Sequence, residues 1–115
     1  MNPSMNSVHI SLLAALEMGP PPKGRLAVPV LERGSIVAEL YTPKDKDRQS
    51  FHTRDELYVV CRGQGLFFDG VTREAVEPGS LVFVRAGQIH RFDDFTEDFA
   101  LWVFFFGPEG GEVTD

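Results

Sequence analysis

Among 115 residues the chain has one cysteine, one tryptophan and three histidines, and its basic residues form no cluster. A lone Cys61 has no partner for an internal disulfide, so nothing requires an oxidising compartment. Its place inside an apolar run predicts a buried, inert thiol. Lys and Arg number 11 against 17 Asp and Glu, a formal net charge of −6. Without a basic patch to neutralise phosphates, nucleic acid is not an expected partner. Beyond Arg91 every charged residue is acidic, which reads as solvated surface. Long hydrophobic runs are also missing. The apolar stretch from Val8 to Met18 is broken by His9, Ser11 and Glu17, and no Lys or Arg precedes it. It lacks the form of a targeting signal and falls short of the roughly 20 residues that span a bilayer. A cytoplasmic protein with no membrane partner is the expectation. What remains is ordinary: 43% hydrophobic and 24% charged residues, enough for one globular domain and too little for a regulatory module besides.

The pattern along the chain predicts three parts. Residues 1–22 form an N-terminal arm in which Ile10, Leu13, Ala14 and Glu17 step at helical spacing, with Asn6 or Ser7 as candidate cap. Gly19-Pro20-Pro21-Pro22 then ends any helix and makes a stiff linker, because proline lacks the amide donor and restricts its predecessor. Such an arm packs across a barrel edge or onto a second subunit. Residues 23–107 read as strands: Leu26–Leu31, Ser35–Tyr41, Leu57–Cys61, Gly65–Phe68, Ala75–Val76, Leu81–Val84, His90–Phe92 and Phe99–Phe106. Asp69-Gly70 between two of these runs predicts a hairpin turn with positive φ at both residues. Residues 108–115 form a Gly- and acid-rich tail expected to be mobile. Short strands at close spacing argue for an all-β sandwich or barrel. Phe99–Phe106 is apolar on both faces, which suits a central strand or one facing a subunit interface, so a homodimer is expected.

The scarce histidines become informative at this point. His52 precedes Glu56 by four residues, and His90 opens a later run. Two imidazoles and a carboxylate suit a divalent metal with open coordination positions. In a straight strand His52 and Glu56 would lie about 13 Å apart, at roughly 3.3 Å per residue. One ion can then be shared only if Thr53-Arg54-Asp55 bends the chain. The plainer reading treats the two histidines as unrelated and Asp55 as an exposed turn acid. Tyr58 shares the parity of Glu56 and Phe92 that of His90, so both are candidate pocket walls, whereas Cys61 faces away.

These residues carry a resemblance. From His52 through Glu56 to Gly63, the spacing is similar to the first motif of the cupin superfamily: His-x-His, three or four residues, Glu, six residues, Gly. From Gly79 through Gly87 and His90 to Asp94, the chain resembles the second: Gly, five residues, Pro-x-Gly, two residues, His, three residues, Asn. Together they span residues 50–94. Three positions depart: Ser50 stands at the first His, Arg85 at the Pro and Asp94 at the Asn. The resemblance implies a double-stranded β-helix, or jelly-roll, barrel with a short N-terminal arm. It implies one divalent ion (Fe, Mn, Ni or Zn) held by His52, Glu56 and His90, with water or substrate in the place facing Ser50. Ser50, Tyr58 and Phe92 are then the expected pocket lining. A small-molecule ligand or substrate is the implied partner, with a dioxygenase- or isomerase-like metalloenzyme as one outcome. A non-catalytic ligand-binding or sensing module and a metal-free structural dimer are the alternatives, since one scaffold hosts many activities.

Overall fold

In the computed structural model, which describes residues 7–113, an extended arm leads into helix α1 (Leu12–Glu17). Ser11 caps it, its hydroxyl accepting from Ala14 N at 3.0 Å. The sequence placed the cap at Asn6 or Ser7. Asn6 lies outside the described residues. Ser7 comes too early, because the helix starts only at Leu12, and Val8 and Ile10 before it line a groove with Val30, Leu31, Trp102 and Phe104. Ala15 is fully buried, and the helix faces Val28 and Leu40 across a shallow cleft. The arm thus packs on its own barrel.

Eight strands follow: β1 (Val28–Arg33), β2 (Ile36–Tyr41), β3 (Asp55–Arg62), β4 (Gly65–Phe68), β5 (Arg73–Val76), β6 (Leu81–Val84), β7 (Arg91–Asp93) and β8 (Ala100–Phe106). Each matches one expected apolar run, with ends moved by at most two residues. They form an antiparallel five-stranded sheet, β1-β2-β8-β3-β6, and an antiparallel three-stranded sheet, β5-β4-β7. β8 lies at the centre of the large sheet between β2 and β3; its Leu101 and Val103 face the shared core, and Trp102 and Phe104 on the other face line a groove with Val8 and Ile10 of the arm.

The two sheets share one core. Tyr58, Val60, Val84, Leu101 and Val103 come from the large sheet, Val76 and Phe92 from the small one. Phe92 joins them: its ring centroid lies 5.0 Å from Tyr58, 5.3 Å from Phe67 and 5.5 Å from Phe99. Burying an aromatic side chain of this kind stabilises the fold by about 1.5–3 kcal/mol. On the outer face of the large sheet, by contrast, Leu81 and Phe83 of edge strand β6 stay 66% and 55% exposed. Among the described residues no helix is long and apolar enough to cross a membrane.

Several local expectations need correction. Asp69-Gly70 is part of a four-residue connection rather than a two-residue turn. Only Gly70 has positive φ, at +101°, while the Asp69 carboxylate accepts from Val71 N at 2.9 Å and Thr72 N at 2.8 Å. The side chain thus does the work of a turn carbonyl. Asp55 is not an exposed turn acid. It is 5% exposed and accepts from Ala86 N and Glu112 N, each at 2.9 Å. That second bond, with Gly110 N donating to Thr53 O at 2.7 Å, folds the expected free tail back onto the barrel. Acidic composition did not reveal this, because the tail is held by its backbone amides.

Candidate metal centre

Glu56 reaches the barrel interior by simple alternation along β3, and it is 1% exposed. His52 reaches the same place because the chain bends at Thr53 and Arg54. The bend is pinned on both sides. Gly87 N donates to His52 O at 2.7 Å, Arg54 Nε donates to Gly107 O at 3.0 Å, and Arg54 Nη2 donates to Ser35 O. His90 enters from the loop before β7. Candidate donor atoms of His52, Glu56 and His90 all lie within 4.8 Å of one another. The structure therefore brings the three together.

The protonation pattern of His90 follows from its neighbours. Nδ1 faces the Gln88 carbonyl at 2.8 Å, and a carbonyl only accepts, so Nδ1 carries hydrogen. Nε2 is then the atom directed at the centre, 3.0 Å from Glu56 Oε1 and 3.0 Å from the Tyr58 hydroxyl. The close approach of Nε2 to the carboxylate is an ion pair when His90 is protonated, and it leaves Glu56 Oε1 facing the ring nitrogen when His90 is neutral. Burial disfavours the charged form of His90. The carboxylate of Glu56 and the Gln88 carbonyl outweigh it and hold the pKa above its ordinary value. Burial first, and then the charge of Glu56, push the Tyr58 phenol well above its usual range, so it stays protonated. A closed carboxylate beside two imidazole nitrogens is an arrangement that suits a divalent cation.

His52 marks the boundary between this centre and solvent. Its ring stands edge-on to Phe105 with centroids 4.9 Å apart, and it lines a cleft of about 290 Å³. Arg25, Glu39, Tyr41 and Gln49 also line that cleft, with Arg25 paired to Glu39. The Glu39 side chain is only 11% exposed, so this ion pair is half inside the barrel.

None of the three expected wall residues lines this cleft. Ser50 is exposed and absent from the cleft, while its neighbour Gln49 turns inward. Consecutive residues of extended chain point opposite ways, so a register wrong by one residue exchanges inside for outside. Phe92 is 1% exposed and belongs to the core beneath Tyr58. Tyr58 is fully buried and presents its hydroxyl to the centre rather than a ring to the cleft.

Sequence reasoning missed Gln49 and Asp47, which lie in and beside a polar break between strands. Asp47 is a hub. It accepts from the Tyr41 hydroxyl, from Phe92 N at 2.9 Å, from Gln49 N at 3.1 Å and from Gln49 Nε2 at 2.7 Å. Burial and the Asp47 carboxylate together raise the Tyr41 phenol far above its ordinary pKa. The one local signal was the Asp47-to-Gln49 spacing of an Asx turn.

Comparisons with known proteins agree with this architecture. No protein-family model matches the chain. An uncharacterized protein of Streptomyces coelicolor is 38% identical over 63 residues, 55% of this chain. The match spans 60% of the length of that curated relative. A solved double-stranded β-helix protein of Klebsiella pneumoniae superposes with a TM-score of 0.68 at 19% identity, covering 90% of this chain and 94% of that one. A cupin-2 domain protein of Shewanella frigidimarina gives 0.64 at 11% identity, covering 85% and 94%. The fold is the double-stranded β-helix that these cupin-type structures share.

Proposed function

We propose that this cupin-fold chain holds one divalent metal ion through His52, Glu56 and His90 and takes a small molecule in the adjoining cleft. The supporting observation is the convergence of His52, Glu56 and His90, whose donor atoms lie within 4.8 Å of one another around a carboxylate sealed from solvent. When bound, the ion supplies Lewis acidity toward a carbonyl or a site for dioxygen chemistry. The chain's own residues do the rest. Gln88 keeps the hydrogen of His90 on Nδ1, Tyr58 stays a hydroxyl donor, and Phe105 holds the His52 ring beside the cleft. A cleft of about 290 Å³ accepts only a small ligand. The metal's identity among Fe, Mn, Ni and Zn is set by supply and geometry.

A homodimer across β6 belongs to the same reading, supported by the exposed Leu81 and Phe83 side chains. So does a cytoplasmic site of action, supported by the absence of any need for a disulfide.

The test is elemental analysis of protein purified without added metal and without a His-rich tag. Near-stoichiometric metal in the wild type, lost in His52→Ala and His90→Ala, is the expected result. Substoichiometric metal that neither substitution changes would overturn the reading. Dioxygen uptake over a panel of small carbonyl and phenolic compounds then separates a metalloenzyme from a ligand-binding module.

A further inference from the structure

We propose that Gln49 supplies a fourth protein donor, its amide oxygen, to the ion held by His52, Glu56 and His90. The proposal rests on the metal-binding reading above. Gln49 Oε1 lies 2.8 Å from the Tyr58 hydroxyl and 3.3 Å from His52 Nε2. That hydroxyl is in turn 3.0 Å from His90 Nε2, which is 3.0 Å from Glu56 Oε1. The amide oxygen therefore stands beside His52 and one hydroxyl away from His90, and Gln49 and His52 line the same cleft.

Its orientation is enforced. An amide can turn either its oxygen or its nitrogen toward a site, and an Asn or Gln at a metal centre serves only with the oxygen inward. Here Gln49 Nε2 is committed to Asp47 Oδ2 at 2.7 Å, so Oε1 must face the centre. Asp47 cannot swing away, because Phe92 N and the Tyr41 hydroxyl also hold it. Gln49 N donates to the other Asp47 oxygen at 3.1 Å, which fixes the backbone as well. This is the arrangement by which a second layer of hydrogen bonds orients a ligand.

The chemistry is consistent with the residue present. Two imidazole nitrogens, one carboxylate oxygen and one neutral amide oxygen suit a borderline divalent ion and leave it a net charge of +1. A six-coordinate ion would keep two positions for a ligand in the cleft. The exposed Ser50 plays no part in this set.

The competing account makes Gln49 only an acceptor for the Tyr58 hydroxyl. Co(II) binding to the full chain separates the two, read both as a dissociation constant and as the visible spectrum of the bound ion. Gln49→Leu should weaken binding by about tenfold or more and change the spectrum. Gln49→Glu, which keeps an oxygen, should bind at least as tightly as wild type with an altered spectrum. Tyr58→Phe should leave the spectrum unchanged, and Ser50→His should leave both readouts unchanged. If Gln49→Leu and Gln49→Glu both retain the wild-type spectrum, the assignment is overturned even where affinity falls. Tighter binding by Ser50→His also overturns it. A wild type that binds no Co(II) instead defeats the metal reading itself, a distinct result.

Discussion

Nε2 of His90 and Oε1 of Glu56 meet at 3.0 Å, although one comes from the loop before β7 and the other from β3 of the opposite sheet. Neither side chain is open to solvent, at 0% and 1% exposure. The pair therefore depends on how the two sheets close, and a cation between its atoms should tie them together. Added divalent metal should raise the thermal midpoint of the wild type. An ion at a hundred times its Kd contributes about 2.7 kcal/mol. Glu56→Gln, which removes the anionic ligand at nearly constant volume, should lose that increment. Thermal unfolding with and without metal measures it, and equal increments in both proteins would count against the site.

Asp55 staples two segments that no local pattern connects. Asp55→Ala should cost about 3 kcal/mol, since each hydrogen bond to a charged group is worth about 1.5–3 kcal/mol. Asp55→Asn keeps one acceptor and should lose roughly half as much. Ala86 lies in the loop that leads to His90, so Asp55→Ala should weaken metal binding too. Denaturant midpoints and metal titrations of both variants check the order.

Gly63 and Gly87 are both left-handed, at φ +80° and +81°, yet they should respond differently to alanine. A Cβ on Gly63 would sit 2.4 Å from Thr96 Oγ1 and 2.9 Å from Phe99 Cα, whereas Gly87 has nothing within 4 Å. Gly87→Ala should cost only the left-handed penalty of about 1–2 kcal/mol. Gly63→Ala should add an overpacking cost of about 1–3 kcal/mol. Equal destabilisation would contradict the packing around Gly63.

The carboxylate of Asp69 has its pKa lowered by the amides of Thr72 and Val71. A depressed carboxylate stabilises the fold above its unfolded-state value of about 3.9 and loses that contribution as pH falls through the folded value. Wild type should therefore exceed Asp69→Ala in urea midpoint at neutral pH, with the gap narrowing below about pH 4. A gap unchanged at pH 3 would show that the turn does not use the charged form.

Phe83 tests the dimer. Phe83→Lys places a charge on the exposed edge strand and should shift sedimentation from dimer toward monomer while leaving metal content unchanged. A wild type that is monomeric at high concentration would remove the homodimer from the reading.

The sequence by itself determined the strands and the identity of the three candidate ligands. Alternation put Glu56 and Tyr58 on the inner face of β3, and the apolar residues on both faces of β8 marked it as central. Both are short-range consequences of a period of two, so they are legible without a partner. The loop residues were different. Ser50 and Gln49 exchange places through a single residue of register, and no periodicity runs through 43–54 to set it. Asp47 gathers two side chains and two backbone amides, one of them from Phe92, forty-five positions away. Asp55 looks like a surface acid until Ala86 and Glu112 arrive beside it. In each case the tertiary structure decided, because hydrogen-bond partners of a polar loop residue come from distant segments and burial makes those bonds obligatory.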